Sequence, residues 1–212
     1  MKIIIVSLCV LVSFTSLSQA KKYDLKSYYT DKKLSVVNRT ASLEDNHVVI
    51  SEADDGEGIA WLKDVTFANG TIEIDLRGQD VLQKSFLGIA FHGTDDATYD
   101  AIYFRPFNFH ATDPVRKIHA VQYISHPTYT WKKLRDEKNG IYEKALVNPP
   151  DPNGWFHARI VVAGENISVF VNDDKAPSLT VTKISTVKDG KVGLWVGSGS
   201  GGSFSNLVIT RQ

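Results

Sequence analysis

Short apolar runs, several of them alternating with polar residues, recur along this chain with glycine, asparagine and aspartate between them. They cover residues 48–50, 59–61, 70–77, 86–92, 99–105, 119–125, 155–162, 164–172, 190–196 and 203–209. In 70–77, Ile72, Ile74 and Leu76 fall on one face and Thr71, Glu73, Asp75 and Arg77 on the other, the period of a half-buried strand. Many short strands at regular spacing, with turn residues between them, predict an all-β fold: a two-sheet antiparallel β-sandwich. Two stretches depart from the pattern. Residues 21–33 are polar, rich in Lys, Asp and Tyr, and read as a surface lead-in. Residues 127–152 hold good helix formers around Asn139-Gly140 and end at Pro149-Pro150-Asp151-Pro152, which predicts a short helical excursion near 128–146. An insertion of that length serves as a lid, a binding loop or a plain cover.

The first twenty residues follow another logic. Lys2, an apolar run from Ile3 to Leu17, and the small residues of Ser18-Gln19-Ala20 predict a secretory signal peptide cleaved after Ala20. The run is too short to span a bilayer comfortably, so no membrane association is expected after cleavage. It contains the chain's one cysteine, Cys9. The remaining residues, 21–212, therefore form no disulfide and depend on packing, as a single domain of this size can. The expected localisation is secreted or periplasmic. Lys+Arg and Asp+Glu number 24 each, which leaves no basic footprint for nucleic acid or an anionic membrane. A neutral partner such as a carbohydrate suits that balance.

Residues 86–131 concentrate polar and aromatic groups on strands. Alternation puts Leu87, Ile89 and Phe91 on the core face of 86–92 and leaves Gly88, Ala90 and His92 on the other. A face kept so bare admits close approach to the sheet. If adjacent strands share that face, His92, Tyr103, Arg105, Gln122 and His126 meet over one concave surface, with Asn108, His110 and His119 on its rim. Amides, a guanidinium and an aromatic platform are what sugar recognition requires. Trp61 and Trp131 are candidate platforms, Trp131 foremost because it lies in the excursion; Trp155 and Trp195 sit in strongly apolar strands and read as core. Each imidazole has an ordinary alternative as a hydrogen-bonded structural group, and Arg105 one as partner of Asp100 or Asp113. No HExxH pair or cysteine set marks a zinc site. Asp54-Asp55-Gly56-Glu57 and Thr94-Asp95-Asp96 are oxygen-rich, but neither has the spacing of a calcium loop. No metal at the site and no cofactor is expected, with a structural calcium at one of these runs as the alternative.

The order of the last four strands resembles the end of a concanavalin A-like jelly roll. Glu73-Ile74-Asp75 resembles part of the catalytic strand of laminarinase-type hydrolases, but Leu76-Arg77-Gly78 follows and the second glutamate is missing, so that two-carboxylate retaining mechanism is not expected. A resemblance over most of the chain is carried by Gly58-Ile59-Ala60-Trp61-Leu62, Phe67-Ala68-Asn69-Gly70-Thr71-Ile72-Glu73-Ile74, Gly88-Ile89-Ala90-Phe91-His92, Ala120-Val121-Gln122-Tyr123 and Trp155-Phe156-His157-Ala158-Arg159. These look like the 3-keto-disaccharide hydrolase domain family. The resemblance implies cleavage of a glycoside already oxidised at C3, where the ketone acidifies the adjacent C–H and one base suffices. His92 or His126 would be that base, Arg105 or Tyr103 would stabilise the enolate, and Gln122, Asn108, Trp131, Trp61 and His119 would bind the sugar. A non-catalytic lectin-like module and a laminin-G-like protein-interaction domain are the alternatives.

Overall fold

The computed structural model describes residues 19–212. Among the described residues are fifteen strands: β1 (Ala20–Tyr23), β2 (Leu34–Val37), β3 (Ala41–Glu44), β4 (His47–Ile50), β5 (Gly58–Phe67), β6 (Gly70–Arg77), β7 (Leu87–Gly93), β8 (Tyr99–Phe104), β9 (Val121–His126), β10 (Glu143–Lys144), β11 (Trp155–Ala163), β12 (Asn166–Val171), β13 (Leu179–Thr182), β14 (Gly190–Val196) and β15 (Gly202–Arg211). Three short helices join them: α1 (Leu25–Thr30), α2 (Pro114–Lys117) and α3 (Trp131–Glu137), with a 3-10 turn at Pro106–Asn108. One sheet runs β13-β12-β11-β6-β15-β4-β3, with β1 also on β15; the other runs β10-β9-β8-β7-β14-β5-β2. The expected antiparallel sandwich is what forms.

The core lies between the sheets. Ile72, Ile74 and Leu76 of β6, with Ile160 and Val162 of β11, face Leu87, Ile89 and Phe91 of β7 and Ile102 and Phe104 of β8; all are fully buried. Each such side chain contributes about 1.5–3 kcal/mol by leaving water, which is how a domain without disulfides holds together.

Residues 21–33 are more than a lead-in. Tyr23 pairs with Leu207 in β1–β15, and Asp24 caps α1 by accepting from Lys26 N at 3.1 Å. Tyr23 and Leu25 reach the core, too few apolar residues to show as a period. The excursion holds one helix, α3, capped by Thr130, which accepts from Lys133 N at 3.3 Å. Gly140, at φ +70°, turns the chain back, and it returns as β10 on the edge of the second sheet. Residues 1–18, which carry most of the expected signal peptide, lie outside the described residues. Among the described residues no helix is long and apolar enough to cross a membrane.

Candidate functional site

The site starts from one row of residues across the second sheet. Opposed residues of antiparallel strands face the same side, and the register aligns Trp195, Gly88, Tyr103, Gln122 and Glu143 on β14, β7, β8, β9 and β10. Leu87, Ile89 and Phe91 face the core, so this row faces away from it. Gly88 stands between Trp195 and Tyr103, and its missing side chain lets their rings approach to 4.8 Å. A Cβ at Gly88 would lie 2.0 Å from the Ile102 carbonyl oxygen, and one at Gly193 would lie 2.7 Å from the Trp61 indole. What the bare face of β7 admits is the protein's own aromatic rings.

A cleft of about 530 Å³ opens over this row. Phe86, Tyr103, Phe107, Trp131 and Trp195 supply its aromatic walls. Leu82, 57 % exposed, and Trp131, 44 % exposed, stand at its mouth. Its polar lining includes Glu57, Asn108, His119 and three arginines, Arg105, Arg116 and Arg135.

Beneath one end lies Glu143, 1 % exposed. Arg135 donates to it twice, Nε to Oε1 at 2.9 Å and Nη2 to Oε2 at 2.7 Å. Arg105 Nη1 lies 3.5 Å from Oε2. His119 Nδ1 lies 2.8 Å from the same oxygen, but out of line for a hydrogen bond. Arg105 also donates to the His119 carbonyl at 2.9 Å, to the Tyr103 hydroxyl and to Gln122 Oε1. A buried carboxylate so surrounded is a counter-ion, with its lone pairs committed. Burial pushes the Tyr103 phenol up to about 12 and the His119 imidazole below its usual value. Tyr103 thus stays a neutral donor, and His119 is uncharged near pH 7.

The other end is built on Tyr99 and His126, opposed in β8–β9 and stacked at 5.1 Å with 7° between their planes. The Tyr99 hydroxyl donates to Glu57 Oε2 at 2.7 Å and accepts from Trp195 Nε1 at 3.2 Å. His126 Nε2 lies 3.3 Å from Glu57 Oε1, also out of line for a hydrogen bond. Burial lowers the His126 pKa, with Glu57 acting against it. Glu57 is the one carboxylate lining the cleft among the described residues. A carboxylate and a guanidinium-backed phenol thus share one cleft, the parts of a base and an oxyanion donor.

Tyr103, Arg105, Asn108, His119 and Trp131 line the cleft. Gln122 is buried in the row beneath, bonded to Tyr103 at 2.7 Å, and His126 stands behind Glu57. Trp61 lies beyond Tyr99, ring centroids 6.0 Å apart, with its Nε1 on Asp96 at 2.8 Å. His110 is exposed and 3.0 Å from the Pro150 carbonyl. His92 is elsewhere. Between the pairs Ala90–Gly193 and Gly93–Lys191, β7 has one residue more than β14, a bulge in which His92 takes φ +54°. This swings its ring to the core side, against Phe91 and Phe67, where Nδ1 is 2.9 Å from Asp100 and Nε2 2.9 Å from the Ala68 carbonyl. His92 therefore belongs to the core and is in no position to meet a ligand in this cleft. Arg105 pairs with Glu143 instead of Asp100 or Asp113.

Two tryptophans also depart from expectation. Trp195 is buried but lines the cleft. Trp155 is 39 % exposed on the other sheet, with Arg77 over its ring at 5.0 Å. Glu143 escaped the sequence reading because it sits in a two-residue strand, and Glu57 was weighed only as part of an oxygen-rich turn. Asp95 and Asp96, weighed above as calcium ligands, serve their own loop and Trp61. Among the described residues no group of three or more His, Cys, Asp or Glu is placed to hold a metal ion.

Solved structures share this fold at low identity. The carbohydrate binding module CBM66 from Bacillus subtilis is 14 % identical with a TM-score of 0.57, over 85 % of this chain and 92 % of that one. A protein of unknown function with a galectin-like fold, also from Bacillus subtilis, is 12 % identical with a TM-score of 0.60, over 91 % and 96 %. The VIP36 exoplasmic/lumenal domain in its Ca2+/Man-bound form is 12 % identical with a TM-score of 0.56, over 85 % and 83 %. No curated protein matches the chain. The model of the 3-keto-alpha-glucoside-1,2-lyase-like domain matches residues 13–210, nearly the whole sequence, and the chain belongs to that family.

Proposed function

We propose that this protein acts on a saccharide oxidised at C3, and that Glu57 is the base that starts the elimination. The observation that carries this reading is Glu57 itself, the one carboxylate lining the cleft among the described residues, oriented by the Tyr99 hydroxyl at 2.7 Å. Family membership supports a 3-keto-glucoside as substrate. On the same fold, CBM66 is a carbohydrate binding module and VIP36 is seen with Man bound, which supports a sugar ligand.

In this mechanism the Glu57 carboxylate takes the C2 proton, and the electron pair of that C–H bond becomes an enolate with its charge on the C3 oxygen. Tyr103 takes a hydrogen bond from Arg105 and donates its own to Gln122 Oε1 at 2.7 Å; turned from Gln122 to the enolate oxygen, that hydroxyl is the donor the mechanism calls on. The enolate then collapses, C1=C2 forms, the C1–O bond breaks, and the departing oxygen takes up the proton that Glu57 removed from C2, directly or through water, which returns Glu57 to its carboxylate form. The product is an enone across C1, C2 and C3. No second carboxylate is required, which fits Glu143 being held as a counter-ion by Arg135 and Arg105. His126 is a positioning residue that backs Glu57. Export through the N-terminal signal remains part of the proposal, since 3-keto-sugars released outside the cytoplasm would then be within reach.

The test is aglycone release and enone absorbance from a 3-keto-α-glucoside, with the parent and Glu57→Gln compared. Positioned general bases supply about 10²–10⁴-fold, so the variant should lose at least about 100-fold in kcat while still binding the sugar. Unchanged turnover by Glu57→Gln removes Glu57 from the reaction. No turnover by the parent, together with sugar binding, favours the lectin-like alternative.

A further inference from the structure

One end of the cleft carries more positive charge than the protein compensates. Arg105, Arg116 and Arg135 all line it, and Glu143 is the single carboxylate paired among them. Arg116 is held entirely by neutral acceptors: Nε donates to Asn108 Oδ1 at 3.2 Å and Nη2 to the Phe107 carbonyl at 2.7 Å. Asn108 in turn donates to the His119 carbonyl at 3.2 Å, the same oxygen that accepts from Arg105 at 2.9 Å. One turn of chain therefore fixes Arg116 beside Arg105. Arg116 has no carboxylate partner among the described residues, and His119 is uncharged near pH 7. Glu57, the one carboxylate in the lining among the described residues, is engaged by Tyr99 at the far end. A guanidinium oriented by neutral groups, partly buried and facing a cleft, is a ready site for an anion.

We propose that this end recognises an anionic substituent on the saccharide, a carboxylate or a sulfate ester, so that the preferred ligand contains an acidic sugar. The inference rests on the saccharide reading above and specifies its substrate class. Arg116 supplies the direct contact, with Arg105 and Arg135 adding to the field. Trp131, with Arg135 over its ring at 5.1 Å, borders the same end.

The test is calorimetric titration of the protein with three oligosaccharides of equal length: neutral, uronate-bearing and sulfated. Each is run with the parent, Arg116→Gln and Arg116→Lys, at two salt concentrations. A charge-assisted contact corresponds to about 10- to 100-fold in affinity. The parent should bind one anionic ligand tighter than the neutral one by that factor, less so at high salt, and the preferred arm names the substituent. Arg116→Gln should erase the preference and Arg116→Lys keep part of it. Equal affinity for all three ligands overturns the inference but leaves the saccharide reading standing, as does a preference that survives Arg116→Gln. Failure of every saccharide to bind overturns this inference, while the 3-keto-glycoside reading stands or falls by the turnover assay above.

Discussion

Replacing Glu143 with Gln removes one negative charge and almost no volume from beneath the cleft, so the loss isolates the charge. In the parent the carboxylate takes two hydrogen bonds from Arg135 at 2.9 and 2.7 Å and faces Arg105 at 3.5 Å. Breaking a buried ion pair by removing one partner costs about 3–5 kcal/mol, because the other charge is stranded. Two features lower that figure here. The Arg135 side chain is 28 % exposed and can turn to water, and Gln keeps one acceptor. Arg105 has no such escape: its side chain is almost wholly buried, and its remaining partners, Tyr103, Gln122 and the His119 carbonyl, are neutral. The expected loss is therefore about 2–3 kcal/mol. In a domain of this size that lowers Tm by about 4–12 °C. Urea unfolding of the parent, Glu143→Gln, Arg135→Met and the double variant measures both the loss and the coupling. A loss below about 0.5 kcal/mol, or a coupling energy of zero with Arg135, would refute the counter-ion role.

Four further outcomes are expected. His92→Asn should cost about 1–3 kcal/mol in urea unfolding through lost buried hydrogen bonds, yet leave turnover per folded molecule unchanged, because the His92 ring lies on the core side of the sheet. Gly88→Ala should destabilise by about 1–3 kcal/mol, since its Cβ meets the Ile102 carbonyl, and should blue-shift or broaden tryptophan emission as Trp195 is pushed from Tyr103. Trp131→Ala should weaken saccharide binding in titration while leaving the thermal midpoint within about 1–2 °C, as exposed side chains usually do. Burial depresses the folded-state pKa of His119 and His126 below the ordinary 6.5. The unfolded chain then binds more protons than the folded one below that value. Stability should accordingly fall as pH drops from about 7 toward 5, by at most about 1.4 kcal/mol per pH unit for each histidine. Unfolding midpoints across that range check the sign, and His126→Asn should flatten the slope.

The sandwich was readable in the sequence because alternation is a direct consequence of one face meeting a core. Residues 70–77 and 190–196 match β6 and β14 in extent, and the division of β7 into Leu87, Ile89, Phe91 against Gly88, Ala90 holds. It fails at His92, where one extra residue interrupts the period. A non-glycine φ of +54° leaves no mark in a hydrophobic pattern, and the error passes straight into the candidate base. Tyr103 and Arg105 come to the cleft from β8 and the residue after it, as alternation could suggest, whereas Asn108, His119 and Trp131 reach it from the 3-10 turn, the residues before β9 and α3, which no strand pattern encodes. Glu57 and Glu143 could not be found that way. Each acquires its meaning from a partner distant in sequence, Tyr99 for one and Arg105 for the other. Trp155 was misjudged for a simpler reason: an apolar strand still has an outward first position.

The central claim is that Glu57 removes a proton from the carbon beside a ketone, and that step can be followed at the proton itself. A 3-keto-α-glucoside is incubated with the protein in D2O and the C2 proton signal followed by NMR. The parent should remove that signal faster than buffer alone, and Glu57→Gln should not exceed the buffer rate. A C2 signal that persists with the parent, or disappears equally fast with Glu57→Gln, would contradict the account.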